Sequence, residues 1–243
     1  MRRIKIILIA VSVLFFASCD TLNQASQILT QTGLGNPSAS EISLGLKQAL
    51  EFGTTASADR LSATDGFFAN AAIKILFPEE AQKVERTLRS VGLNKLADNV
   101  ILSINRAAEE AAIEAKPIFI SAVKGMTFSD ATNILLSRQQ DAATLYFKGV
   151  TGLQLQDKFR PIIESSLNRV GATKYWSDAI TAYNRIPLVG KVNPDLTSYV
   201  TGKAVDGIFL EIAQEELKIR SRISARSTPL LQKVFAYADR NRG

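Results

Sequence analysis

Six carboxylates could supply acid–base chemistry in this chain: Asp65, Glu109, Asp130, Asp206, Glu215 and Glu216. Cleaving a glycosidic bond takes two such groups, one kept protonated and one ionised. No spacing among the six singles out a pair, so a carboxylate-dependent glycan hydrolase is a minority reading. Most other chemistries lack their parts. The chain has no histidine, and Cys19 is its sole cysteine. A Ser-His-Asp triad, a Cys-His pair and an imidazole-ligated metal are therefore excluded. Neither a P-loop nor a GxGxxG pattern occurs. No cofactor and no metal are expected, and a non-enzymatic role is favoured.

The most unusual polar stretch is Asn105-Arg106-Ala107-Ala108-Glu109-Glu110, set in an alanine-rich helix. Arg106 reaches Glu109 and Glu110 at i+3 and i+4. On a packed face, Asn105, Arg106 and Glu109 need partners. Asp65, Asp206 and Arg220 can provide them. The six residues could form a structural network or line a polar pocket, and the pattern leaves both open. Tyr146-Phe147, Tyr175-Trp176 and Tyr183 could line a ligand groove, although aromatics at helical spacing more often fill a core.

The elements that must position these groups read as helices throughout. Alanine is abundant, while glycine and proline number only 14 and 7 in 243 residues. Ser38-Ala39-Ser40-Glu41 is a capping box that opens the first helix, with Ile42, Leu46, Ala49 and Leu50 at helical spacing. Phe67 to Phe77 reads as a short buried helix. Pro78 begins another, striped by Ala81, Val84, Leu88 and Val91. A long helix spans about 95–124, kinked or divided at Pro117. Its small-residue face is Val100, Ile104, Ala107, Ala108, Ala111 and Ala115. Thr127 caps the next helix. Further helices are expected over 139–150, 155–170, 173–185, 206–223 and 229–240, with a loop at 188–195. No alternating strand pattern emerges. The expected fold is all-α, a single domain of about nine or ten helices over residues 40–243. Asp65-Gly66-Phe67-Phe68 and Asp206-Gly207-Ile208-Phe209 echo one another, and both read as helix starts.

Ahead of that domain lies a tripartite leader. Arg2, Arg3 and Lys5 precede an apolar run from Ile6 to Ala17, and Ala17-Ser18 supplies small residues before Cys19. This is a secretory signal layout, too short to span a bilayer. Phe16-Ala17-Ser18-Cys19 looks like a bacterial lipobox. Residues 1–18 are then a signal peptide, and Cys19 is the lipid-bearing first residue of a tether over 19–39, rich in polar residues and glycine. The expected location is the bacterial cell envelope, anchored by lipid and facing the periplasm. Asp20 bears on which membrane, and the sequence leaves inner and outer open.

Formal net charge is +6, and setting aside Arg2, Arg3 and Lys5 leaves +3. That excess is too small to imply a nucleic-acid partner. It is concentrated late, in Lys218, Arg220, Arg222, Arg226, Lys233, Arg240 and Arg242 against Asp239 alone. Such a region is either a solvated basic face or a surface for an anionic envelope partner.

Several ordered stretches carry a resemblance: "DGFFANAAIKILFP" (65–78), "NRAAEEAA" (105–112), "MTFSDATNIL" (126–135), "AATLYF" (142–147), "VDGIFLEIAQEELKIR" (205–220) and "LLQKVFAY" (230–237). Together they resemble the domain of unknown function 4197 family of bacterial envelope proteins. The resemblance implies one all-helical domain and assigns neither an activity nor site residues. The leading expectation is a lipid-anchored binding or interaction module. A helical carrier or sensor of an apolar or anionic small molecule is the alternative, with the glycan hydrolase behind it.

The lipobox reading makes a direct prediction. In a bacterial host, Cys19→Ser should abolish palmitate labelling and detergent-phase partitioning, and a variant that still labels would refute it.

Overall fold

The structure, a computed structural model, describes residues 35–90, 92–184, 191, 193 and 195–242. The leader, Cys19, Asp20, most of the tether and most of the 188–195 loop lie outside the described residues, as do the side chains of Tyr175 and Tyr183. No strand occurs among the described residues, so the all-α expectation stands. None of their helices is long and apolar enough to cross a membrane.

Local sequence fixes the start of several helices. Helix α1 (Ala39–Ser62) begins at the Ser38/Glu41 capping box, where Ser38 Oγ accepts from the Glu41 N–H and Glu41 Oε2 accepts from the Ser38 N–H. Lys233 adds its ammonium to Glu41. These hydrogen bonds hold the Glu41 pKa at about 2. A 3-10 turn at Glu79–Ala81 leads into α2 (Gln82–Ser90). The helix expected over 95–124, kinked or divided at Pro117, is divided into α3 (Asn94–Ala112) and α4 (Ala115–Gly125). The break falls at Ile113-Glu114, ahead of Pro117. Proline in the first turn of α4 forgoes an N–H that would have no intrahelical acceptor. Thr127 and Asp130 form a second capping box for α5 (Phe128–Leu136).

Burial overrides propensity in the long helices. Two helices were expected over 139–150 and 155–170, and the chain instead forms one, α6 (Ala142–Arg169). Phe147, Thr151, Leu155, Phe159, Ile163 and Leu167 recur every fourth residue and are all buried. That stripe packs on α3 and on α8. Its burial outweighs the cost of Gly149 and Gly152, about 1 kcal/mol each. Pro161 sits on the exposed side, where water can satisfy the carbonyl it leaves unbonded. Helix α7 (Ala172–Asn184) follows. Helix α8 (Leu196–Ser221) begins ten residues before the expected Asp206, capped by Asp195 accepting from the Ser198 N–H. Leu196, Val200, Ala204, Ile208 and Ile212 give it a buried stripe that continues as Glu216 and Arg220. Helix α9 (Pro229–Asn241) starts at Thr228, which caps the Leu231 N–H.

Helices α1, α6 and α8 are the frame against which the others pack. Of the expected small-residue face, Ile104, Ala107, Ala108 and Ala111 of α3 and Ala115 at the start of α4 are buried and Val100 is partly buried, letting α3 lie close against α6. Phe119 of α4 makes edge contacts with Phe147 of α6 and Phe209 of α8, at 5.6 and 6.0 Å between centroids.

One segment escapes the helical pattern. Phe67 to Phe77 is not the expected short helix; residues 63–78 form an irregular strap between α1 and the 3-10 turn. The Asp65-Gly66/Asp206-Gly207 echo therefore marks two different structures. Asp65 has φ +68°, and a Cβ on Gly66 would lie 2.3 Å from the Arg60 carbonyl oxygen and 2.7 Å from that of Leu61. Gly207 lies mid-helix, where a Cβ would stand 2.7 Å from the Phe67 ring. One glycine turns the strap, and the other seats its first buried aromatic.

Gly66→Ala should destabilise the protein by about 2 kcal/mol or more, since backbone carbonyls cannot yield to the new methyl. Gly125→Ala, at the open end of α4, should stay within roughly 1 kcal/mol of the parent. Thermal unfolding followed by circular dichroism checks the difference.

Candidate functional site

A 16-residue strap with little regular structure must satisfy its buried peptide groups by other means. Turns within the strap pair some of them, two side chains of α3 pair others, and a third side chain, on α8, holds the strap through Asn70. Asn105 of α3 is wholly buried; its Oδ1 accepts from the Ile75 N–H at 2.9 Å and its Nδ2 donates to the Ile75 carbonyl at 2.8 Å. One turn later Glu109, also buried, uses Oε1 to accept from the N–H groups of Phe67 and Phe68 at 3.0 and 3.1 Å. Glu211 of α8 accepts from Asn70 Nδ2 at 2.9 Å. The strap is thus pinned near its start, middle and end.

Arginines neutralise these buried carboxylates from the solvent side. Arg106 donates to Glu109 Oε2 at 2.6 Å and to Asp65 Oδ1 at 2.7 Å, and these bonds hold its guanidinium more firmly protonated. Arg60 bonds Glu211 and Glu215, and Lys218 also bonds Glu215. Burial alone would raise the Glu215 pKa; the hydrogen bonds from Lys218 and Arg60 outweigh it and hold the group below its ordinary value.

A second network joins the other end of α8 to three helix termini. Asp141 makes no side-chain cap for α6. Glu216 caps that helix instead, accepting from the Ala143 N–H and, through its other oxygen, from the Thr144 N–H and hydroxyl, all at 2.9 Å. Arg220 pairs with Glu216 at 2.7 Å and donates to the Ile134 carbonyl at the end of α5. Arg242 donates to the neighbouring Leu135 carbonyl. Arg226 donates to the carbonyls of Ile219 and Arg220 at the end of α8 and pairs with Asp239 at 2.8 Å. Cations thus sit at the C-terminal ends of helices, where the helix dipole favours them.

The strap also forms one wall of a cleft. A hollow of about 560 Å³ lies between strap residues 72–78, with Glu79 of the 3-10 turn, and the α8 side chains Tyr199, Lys203, Asp206 and Leu210. A second, of about 450 Å³, is lined by Trp176, Lys191, Asn193 and Ser198. Pro78 and Tyr199 line both hollows. The Tyr199 hydroxyl donates to the Leu76 carbonyl at 3.0 Å, tying the strap to α8 between them. Trp176 packs on Phe77 at 5.7 Å, and its indole N–H has no acceptor among the described residues. Lys74 lies over the Phe68 ring at 3.8 Å and Lys203 near the Tyr199 ring at 5.9 Å.

The family described as protein of unknown function (DUF4197) matches residues 36–236. The chain belongs to this family. Neither a curated protein nor a solved structure matches it.

Within this DUF4197 domain the six sequence-derived polar residues divide into three places. Asp65, Arg106 and Glu109 meet in one network, and Asn105 pins the other end of the same strap. Asp206 is not part of it; it is exposed in the cleft wall. Arg220 belongs to the second network, with Glu216. Of the carboxylates weighed for hydrolysis, Glu109 and Glu216 hold backbone N–H groups, Glu215 holds two cations, and Asp130 caps α5 with its pKa lowered by Thr127. No group of three or more metal-ligating side chains occurs among the described residues. Of the aromatic candidates, Phe147 is core, Tyr146 packs against it, and Trp176 reaches the cleft. Sequence reasoning missed Asn70, Glu211 and Tyr199. Asn70 and Glu211 touch only through the fold, 141 residues apart, and no local signal links them.

Glu109→Ala should cost about 3 kcal/mol, because two backbone N–H groups and a guanidinium lose their acceptor together. Glu110→Ala removes only an exposed pair with Arg169 and should cost under about 0.5 kcal/mol. Denaturant unfolding of both variants separates the two roles.

Proposed function

We propose that this chain is a lipid-anchored protein of the bacterial cell envelope whose helical domain is a non-enzymatic binding module. Its ligand site is the cleft between the strap and α8. The observation that carries this reading is the paired hollow that meets at Tyr199, within the size range of small-molecule sites. Apolar surface from Leu76, Phe77 and Leu210 lies beside Lys74 and Lys203. That combination suits an elongated amphiphile with an anionic end, the apolar part against the strap and the charge near the lysines. The lipobox at Cys19 supports a membrane-tethered setting facing the periplasm. The conversion of Glu109, Glu215 and Glu216 into structural acceptors weighs against catalysis, since Glu109 and Glu216 spend both oxygens on donors and Glu215 is tied to two cations.

The only tryptophan of the chain lines this cleft, so intrinsic fluorescence reports on it alone. Titration with laurate or with 1-anilinonaphthalene-8-sulfonate should shift Trp176 emission saturably. Tyr199→Ala and Lys203→Glu should each weaken the response about tenfold, a loss of ~1.4 kcal/mol. No saturable shift with either probe, or a shift indifferent to both substitutions, would rule the cleft out as the site.

A further inference from the structure

The basic C-terminal region is largely turned inward. Arg220 and Arg226 are buried, Lys218 and Lys233 are paired with Glu215 and Glu41, and Arg242 reaches the end of α5. Arg222 and Arg240 remain on the surface. We propose that Arg220 and Arg242, docked on the consecutive carbonyls of Ile134 and Leu135, form a binding site for a compact inorganic anion, chloride or phosphate.

The donors are present and unfilled. Arg220 Nη1 and Arg242 Nη2 are both buried and have no acceptor among the described residues. A buried charged donor without an acceptor is among the costliest groups a fold can carry. The neighbouring carboxylates are already spent. Both oxygens of Glu216 are occupied by the N-terminus of α6 and by Arg220 itself. Asp239 gives Oδ2 to Arg226 at 2.8 Å, and its Oδ1 stands 3.6 Å from Arg242 Nη1, beyond hydrogen-bond length.

The local field points the same way. Three guanidiniums, Arg220, Arg226 and Arg242, meet two carboxylates, Glu216 and Asp239. Burial and then the repulsion of Arg220 push the Arg242 pKa down, and Arg226 adds to this against the attraction of Asp239 and Glu216. A single negative charge between the guanidiniums would reverse that imbalance and fill both donors. The Arg220 side chain is only 2% exposed and that of Arg242 13%, so a compact ion suits these donors better than a lipid headgroup.

The test is the thermal stability of the full chain in nonionic detergent, starting from chloride- and phosphate-free buffer. Sodium chloride, sodium phosphate and sodium gluconate are compared at matched ionic strength. Chloride or phosphate should raise Tm by roughly 3–6 °C and saturate, and bulky gluconate should not. Arg242→Gln should remove the saturable rise. Asp239→Asn should move its midpoint several-fold lower in anion concentration, since a competing negative charge is gone. An equal rise in gluconate or in Arg242→Gln, no rise at all, or no change of midpoint in Asp239→Asn would overturn the site. So would a response that appears only with phosphatidylglycerol vesicles, which would place the anion contact on the exposed arginines instead.

Discussion

The packing turns on a buried strap whose turns pair only part of its own backbone. Residues 63–78 carry Phe67, Ile73, Ile75 and Phe77 into the core, yet they form no helix and pair with no strand. Burying that backbone without partners would be prohibitive. Turns within the strap pair Gly66, Ala69, Asn70, Ile73 and Lys74, and Asn105 and Glu109, fixed on rigid α3, pair Phe67, Phe68 and Ile75. Their positions follow helical geometry: Asn105 and Glu109 are one turn apart on one face of α3, and both therefore point at the same strap. Arg106, between them in sequence, faces solvent enough to neutralise Glu109 without a second buried charge.

The same demand for acceptors engages several carboxylates among the described residues in structural roles. Glu109 and Glu216 are each the acceptor for two consecutive backbone N–H groups. A carboxylate with both oxygens engaged in this way is held in place and has little freedom to approach a substrate. Charge here serves mainly to terminate helices and hold the strap. What the strap leaves exposed on its outer side, against α8, is the cleft.

Helix α8 links these functions. Tyr199, Lys203 and Leu210 present its outer face to the cleft, Gly207 seats Phe67, Glu211 holds Asn70, and its last turns carry Glu216 and Arg220. Distortion of the strap is therefore felt at Gly207 and Glu211. The buried stripe from Leu196 to Arg220 passes from apolar to ionic because its later turns meet the ends of α5 and α6, where free N–H and C=O groups need partners.

Local sequence determined a good deal by itself. The capping boxes at Ser38 and Thr127, the start of α9 at Thr228 and the alanine face of α3 all depend on neighbours within one or two turns, and each is found where the pattern places it. The absence of histidine bounds the chemistry without any coordinates. The pairing of Arg106 with Glu109 was legible for the same reason, an i,i+3 spacing on one helix. Only the tertiary structure decided the rest. It joined two expected helices into α6, because a six-residue buried stripe outweighs two glycines. It opened Phe67–Phe77 into a strap, because partners on α3 and α8 replace the helical ladder. It turned most of the late cations inward and placed Asp206 in a cleft, because what a charge faces depends on which helices pack beside it, and that is a long-range property no local spacing encodes.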